Sequence, residues 1–370
     1  MSKTLRNFVV PAGNLAGQNT EYLGAISEQL KSGSLIGGNA VSKFEENLAT
    51  YVGANHVLSL ASGMDALIIG LTALNLPPMS NVLVADNAGG YASLAVLSTG
   101  HRPIFCDVNP SDFEMDLDFA TDFSDEIQAV VVTHLYGRMA DMNSIMAWAK
   151  KNDIKVIEDC AQSIGAIQDQ KQAGTFGDIG TFSFYPTKNL GGVGDGGAIC
   201  TDNDLYAERI NKLRQYGWKH RYNISEKFAR NSRLDSINAA VLDEKLKTLN
   251  QSNMRRREIL TQYISSFSSG IFFQDRSVAL DNVAHLAVGV CENPTEMINF
   301  FGAEGVELTR HYPIPDSLQE GLNYLGVDKA TPTSHRLCKQ VVSLPIYPWL
   351  TDEQVNLVCI VAQKWSGSNA

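Results

Sequence analysis

Hydrophobic and polar positions switch between two periods along most of this chain. Short runs rich in aliphatic and β-branched residues predict strands at His56–Leu60, Asn81–Ala85, Arg102–Asp107, Ile127–His134, Ile154–Asp159 and Thr181–Tyr185. Segments with apolar residues at helical spacing lie between them, and Ala66–Leu74 is the most strongly apolar. Upstream, an N-terminal arm leads into two predicted helices, Glu21–Lys31 and Val41–Tyr51, separated by the glycine-rich break Ser32–Gly38. Strand and helix alternating over about 150 residues predict a doubly wound α/β domain on a large, mostly parallel sheet. Such sheets bind ligands at the carboxyl ends of their strands, which singles out His134 and Asp159.

Beyond these strands, Ala198–Thr201 reads as a returning strand, and Leu205–Tyr216, Ser236–Leu249 and Met254–Phe267 as helices. From about residue 270 the pattern changes to a strand at Ala284–Cys291, a helix at Pro294–Phe301 and a C-terminal helix at Glu353–Trp365. A chain of 370 residues exceeds what one core usually supports. The expected division is residues 1–250, arm and large domain, and 251–370, a smaller C-terminal α+β domain ending in a frayed Ser366–Ala370 tail.

Composition narrows the function. Hydrophobic residues at 44% and charged residues at 19% describe an ordinary water-soluble domain. A net charge of −10 argues against bulk nucleic-acid binding or attraction to anionic membranes, so any anion site must be built locally. The six cysteines form no CxxC pair and the seven histidines show no ligand spacing, which reads as core thiols in a reducing compartment and no metal site. No apolar run approaches the length of a membrane span and the N-terminus has no signal-like apolar stretch, so a cytoplasmic location is expected.

The stretch Thr181–Ala198 carries the most pointed chemistry. A strand-like run delivers one lysine, Lys188, to the edge of a glycine-rich turn, Gly191–Gly197. Burial there would lower its pKa and leave a neutral amine able to attack a carbonyl. Alone, Lys188 reads equally well as a solvated turn lysine, and Ser62-Gly63, at the start of an apolar helix, as a simple N-cap instead of a phosphate site. Pyridoxal phosphate chemistry needs a lysine, a carboxylate for the ring nitrogen, a group against the ring and an anion site. Asp159 at a strand end, Gln162 three residues on, Ser183 and Ser62-Gly63 supply that set. A basic, aromatic stretch, Tyr216–Tyr222, followed by Arg230–Asp235, suits a diphosphate and a base, or a solvated face.

These motifs give the chain its resemblance to the nucleotide-sugar aminotransferases of the DegT/StrS type, which have the aspartate aminotransferase-like fold (fold type I). They are FEENLATYVG, ASGMDAL, EDCAQSIGA, GTFGDIGTFSFYPTKNLGGVGDGGA, LRQYGW, NSRLD, RHYPIP and SLPIYPWLTDEQV, in the family's order over about residues 20 to 365. The resemblance implies that Lys188 carries pyridoxal 5′-phosphate as a Schiff base, that Asp159 pairs with the pyridinium nitrogen and that Gln162 bonds near the ring hydroxyl. It implies a phosphate held by Ser62, Gly63, the Met64 amide and Ser183, with Asn231 reaching the phosphate of a neighbouring subunit in a homodimer. Substrate contacts would come from Tyr185, His311 and Tyr312, and from Lys219, His220, Arg221 and Tyr222. The implied reaction moves an amino group from L-glutamate to a keto group of a nucleotide-linked sugar. The forms YPTKNLG, GDGG and LRQYGW are most similar to enzymes acting at carbon 3 of dTDP-linked 6-deoxy sugars.

Two positions depart from the family. Met64 stands where a threonine hydroxyl usually helps hold phosphate, and Gly89 aligns with an aromatic that usually covers the ring, leaving Tyr91 as its expected replacement. Three alternatives stay open: a carbon-4 aminotransferase, a sugar dehydratase, which usually has histidine in place of Lys188, and a non-catalytic regulator.

Overall fold

The structure is a computed structural model that describes residues 22–274 and 278–365. The predicted arm, Glu21 and the C-terminal tail lie outside the described residues. The central sheet contains β1 (His56–Leu60), β2 (Asn81–Ala85), β3 (Arg102–Cys106), β4 (Ala129–Thr133), β5 (Lys155–Asp159), β8 (Ile179–Ser183) and β9 (Gly197–Thr201). A small hairpin, β6 (Ile167–Gln168) and β7 (Lys171–Gln172), separates β5 from β8. Their spatial order is β1-β9-β8-β5-β4-β2-β3. Strands β8, β5, β4, β2 and β3 pair in parallel, and β9 runs antiparallel between β1 and β8, so the sheet is mostly parallel as predicted.

Both faces of this sheet are covered, which is why its strands look uniformly apolar. Along β2, Val82 and Val84 pack with α3 (Gly63–Leu74), α4 (Tyr91–Ser98) and α7 (Asp204–Leu213). Leu83 points the other way, toward α2 (Asn39–Val52), α5 (Leu117–Thr121), α6 (Met142–Lys151) and α8 (Ser236–Leu246), and α1 (Leu23–Ser32) lies against α8. The period of two along the strand thus feeds two hydrophobic layers.

A second core is built from residues after the sheet. Helix α9 (Leu249–Ser266) packs Ile259, Leu260 and Tyr263 with a three-stranded antiparallel sheet. That sheet comprises β12 (Phe272–Phe273), β13 (Ala287–Val290) and β14 (Val341–Leu344). Helices α10 (Pro294–Ala303) and α12 (Asp352–Lys364) complete it, while Leu337 of α11 (Pro332–Gln340) packs toward the loop after β2. The start of α9 differs from the expected Met254 because its first turns hold Asn250, Gln251, Ser252 and Asn253, which carry no apolar signal. Leu249 still belongs to the large core, so this one helix is shared by both.

The loop between β2 and α4 is clamped by the segment after Tyr312. Asp86 accepts hydrogen bonds from Ser317 N (2.7 Å) and Ser317 Oγ (2.8 Å), and Asp316 accepts from Gly90 N (2.7 Å) and Ser93 Oγ (2.7 Å). Both carboxylates are almost completely buried, and desolvation, with Asp86 nearby, pushes the Asp316 carboxyl up to about 7. The folded state therefore holds a proton that the unfolded chain releases near pH 4. Stability contributed at lower pH should fall between about pH 4 and 7 and stay flat above. We expect Asp316→Asn, which mimics the protonated group, to flatten this decline, a difference on the order of 2–4 kcal/mol between pH 5 and 8 in urea unfolding.

Candidate active site

Strand register brings the chemistry to one level of the sheet. Thr133 and Asp159 pair at the carboxyl ends of β4 and β5, Asp159 pairs in turn with Thr181 in the middle of β8, and Ser183, at the end of β8, and Leu60 both pair with Gly197. The chain leaving β1 therefore enters α3 beside the end of β8. That approach depends on missing side chains: a Cβ at Gly63 would stand 2.6 Å from Ser183 Cβ, and one at Gly197 2.4 Å from Ser62 O. Ser62 caps α3 by accepting from Asp65 N (3.1 Å), and the amides of Gly63 and Met64 begin the helix, where N–H groups have no intrahelical partner. A hydroxyl pair, free amides and a helix dipole at one spot are the features of an anion cradle.

Beside this cradle lies a cavity of about 580 Å³. It brings together Ser62, Gly63, Met64, Tyr91, Asp159, Gln162, Ser183, Tyr185, Lys188, His311 and Tyr312, all of them anticipated from sequence. Lys188 follows a tight turn after β8, with its N–H donating to Tyr185 O (2.8 Å). The strand ends at Ser183, two residues earlier than predicted, and Phe184 N then bonds Gly196 O (2.8 Å) across the turn. None of the glycines from Gly191 to Gly197 has positive φ. Their role is close approach: a Cβ at Gly192 would lie 2.1 Å from Asn238 Oδ1. Asn238 braces the turn by accepting from Val193 N (2.9 Å) and donating to Asp195 O (2.9 Å), and Lys245 Nζ donates to Gly191 O (2.7 Å).

The electrostatics follow from this enclosure. The cavity leaves part of the Lys188 surface accessible, yet the surrounding protein desolvates the ammonium and lowers its pKa to about 8, with Asp159 acting in the opposite sense. Asp159 is buried, and desolvation raises its pKa against the pull of the Ala161 amide (3.1 Å), Lys188, His134 and Thr133. A buried carboxylate opposite a depressed lysine can hold a protonated ring nitrogen at one end and present an amine at the other. Gln162 is pinned by two tyrosines: its Oε1 accepts from Tyr136 N (2.7 Å) and its Nε2 donates to Tyr312 Oη (3.2 Å).

Gly89 has φ +81, and a Cβ there would meet the Tyr312 ring at 3.0 Å. The aromatic surface next to this position is therefore Tyr312, with half-exposed Tyr91 in edge contact at 6.1 Å between centroids. Asn231, Lys219, His220, Arg221 and Tyr222 do not line the cavity. Asn231 is exposed and accepts from Arg233 Nε (2.9 Å), and the others are exposed on or beside the hairpin of β10 (Trp218–His220) and β11 (Asn223–Ile224).

Sequence reasoning missed Thr133, Asp195, Arg256, His285, Thr309, Tyr347 and Trp349 on the same wall. The strand-end rule that selected Asp159 also applies to Thr133, its register partner. The last five arrive from the second core, and nothing local marks them. Arg256 is buried, with Nη1 donating to His285 O and Ile346 O (both 3.1 Å). His134, Glu158 and Cys160 come within 4.8 Å of one another away from the cavity, but the Glu158 carboxylate is already taken up by the amides of Gly174, Phe176 and Gly177 and by His134.

Known proteins resemble this chain along most of its length. Residues 17–362 match the model of the DegT/DnrJ/EryC1/StrS aminotransferase family. The chain is 37% identical over 344 residues to a dTDP-3-amino-3,6-dideoxy-alpha-D-galactopyranose transaminase of Aneurinibacillus thermoaerophilus, covering 92% of this chain and 94% of the relative. Among solved structures it is similar to S. venezuelae DesV in complex with a ketimine intermediate, with TM-score 0.92, 32% identity, and 97% and 98% of the two chains covered. It is also similar to NtdA from Bacillus subtilis with bound cofactor PMP, with TM-score 0.89, 29% identity, and 96% and 84% covered. The chain belongs to the DegT/DnrJ/EryC1/StrS aminotransferase family.

Proposed function

We propose that this protein is a pyridoxal phosphate-dependent aminotransferase that moves the amino group of L-glutamate to carbon 3 of a dTDP-linked 3-keto-6-deoxy sugar. The observation that carries the reading is a lysine depressed to about 8 and a buried carboxylate sharing one cavity with a helix-terminal anion cradle. The likeness to a dTDP-3-amino-sugar transaminase supports the choice of nucleotide and carbon. The bound cofactor supplies an electron sink that makes the donor's α-proton acidic. Asp159 holds the ring nitrogen protonated, Gln162 bonds beside the ring hydroxyl, and Ser62, Gly63, the Met64 amide and Ser183 hold the phosphate. Lys188, as a free amine, would carry a proton from the donor's α-carbon to the cofactor's aldehyde-derived carbon, and in the reverse half from that carbon to carbon 3 of the sugar. Tyr185, His311 and Tyr312 bound the space left for the sugar, and Tyr91 edges the ring.

The exposed residues complete the site in trans. Asn231 and the Lys219–Tyr222 hairpin extend from one subunit of a homodimer toward the cavity of the other, where Asn231 meets the phosphate and the cations meet the nucleotide diphosphate. The same reading divides the chain near residue 250 into a large cofactor-binding part and a smaller C-terminal part. None of the described helices is long and apolar enough to cross a membrane, which supports a cytoplasmic enzyme.

Lys188→Ala should abolish turnover and the yellow absorbance of the purified protein, while wild type bleaches on adding L-glutamate; residual transamination in the variant would refute the lysine's role. Mixing Lys188→Ala with Asn231→Ala chains should restore activity that neither homodimer shows, because one intact cavity forms in the mixed dimer; no rescue would argue for sites contained in one subunit. Single turnover of the aminated cofactor form against dTDP-linked 3-keto and 4-keto sugars should bleach-recover only with the 3-keto compound.

A further inference from the structure

Tyr136 is held in a conformation that its residue type rarely adopts. It sits in the turn Leu135–Gly137 after β4 with φ +62 and ψ 3, a left-handed backbone that is unfavourable for a bulky aromatic. Strain of this kind persists only where the surroundings fix it. Main-chain bonds do so here: Tyr136 O accepts from Leu286 N (3.1 Å), Gly137 O accepts from Val283 N (2.9 Å) and Arg138 N donates to Leu135 O (3.2 Å). Tyr136 is buried and lies behind the cavity wall without lining it.

This residue reaches the wall by two routes. Its N–H donates to Gln162 Oε1 (2.7 Å). A main-chain N–H only donates, so the Gln162 amide cannot be turned round, and Nε2 is the group that lies 3.2 Å from Tyr312 Oη. Nε2 likewise only donates, so Tyr312 Oη accepts there and keeps its own hydrogen for another acceptor. None of the described residues takes that hydrogen, and Tyr312 lines the cavity. By the second route, Tyr136 Oη donates to His311 O (2.6 Å). Burial raises the Tyr136 pKa well above its ordinary value, so the hydroxyl stays a donor at neutral pH.

His311 immediately precedes Tyr312, and the two routes therefore close a circuit that starts and ends on Tyr136. The segment is also tied to β14, where His311 Nδ1 lies 2.8 Å from Ser343 Oγ and the main chains of Thr309 and Ser343 exchange hydrogen bonds of 2.8 and 3.1 Å. We propose that Tyr136 is a positioning residue for the keto-sugar: its hydroxyl sets the His311–Tyr312 segment and its N–H sets the Gln162 amide, so that the Tyr312 O–H is presented to an oxygen of the sugar. The inference rests on the reading of His311 and Tyr312 as neighbours of the sugar.

Tyr136→Phe keeps the ring, the backbone and the bond to Gln162, and removes the bond to His311 O. His311–Tyr312 is the only His–Tyr pair in the sequence, so cofactor-free protein carrying ¹³C-carbonyl histidine and ¹⁵N-tyrosine gives one coupled resonance, that of this peptide. The resonance should stay sharp and move in Tyr136→Phe. Loaded with pyridoxal phosphate, the variant should bleach with L-glutamate at a rate within about threefold of wild type, while its aminated form should need about ten times more dTDP-linked 3-keto-6-deoxy sugar to reach half its maximal rate. An unmoved resonance, an unchanged sugar requirement or an equal loss in both halves would overturn the proposal. Wild type that bleaches with L-glutamate but never recovers with the keto-sugar would instead sink the reading on which it rests.

Discussion

An ammonium kept partly out of water opposite a carboxylate kept almost wholly out of it is the constraint around which this chain is built. Neither group is comfortable there alone. Lys188 loses hydration and drifts toward the neutral amine, while Asp159 loses hydration and drifts toward the neutral acid, each partly restrained by the other's charge. That tension is useful only if the two stay apart while sharing one enclosed space. The sheet provides the separation: Asp159 is fixed by register at a strand end, and Lys188 is carried on a turn that leaves the next strand. The turn then has to be packed with no side chains in the way, which explains why glycines crowd it although none needs left-handed backbone.

The second core completes this arrangement from a distance. Tyr312 lies against Gly89, so the aromatic wall at that point comes from the C-terminal half of the chain and not from the loop after β2. The clamp of Asp86 and Asp316 on the same loop keeps that wall in place at the cost of two buried carboxylates. Arg256 ties the loops at His285 and Ile346 to one guanidinium, and the Asn253–Asn189 pair ties α9 to the lysine turn. A site assembled this way depends on both cores being folded and docked.

Much of this was legible in the amino-acid order, for a physical reason. The sheet is buried on both faces, so its strands are recognisable as apolar runs, and the strand-end rule leads directly to Asp159. Lys188, Gln162, Ser183 and Ser62 follow because each sits beside a local turn signal. Other features left no such mark. The start of α9 is hidden by buried and solvated amides that have no apolar period, and β14 is a four-residue strand cut off by Pro345. Arg256, His285, Tyr347 and Trp349 reach the cavity only through tertiary docking, and the packing of Tyr312 against Gly89 is a contact between segments that sequence spacing cannot relate.

The continuity of α9 across both cores has a mechanical consequence. An unbroken 18-residue rod with Leu249 buried in one layer and Ile259 to Tyr263 in the other resists hinge bending, since flexing it would break its own amide ladder. The two halves are stiffly yoked through this shaft, and a reactant's entry and exit are left to the side chains and loops at the rim.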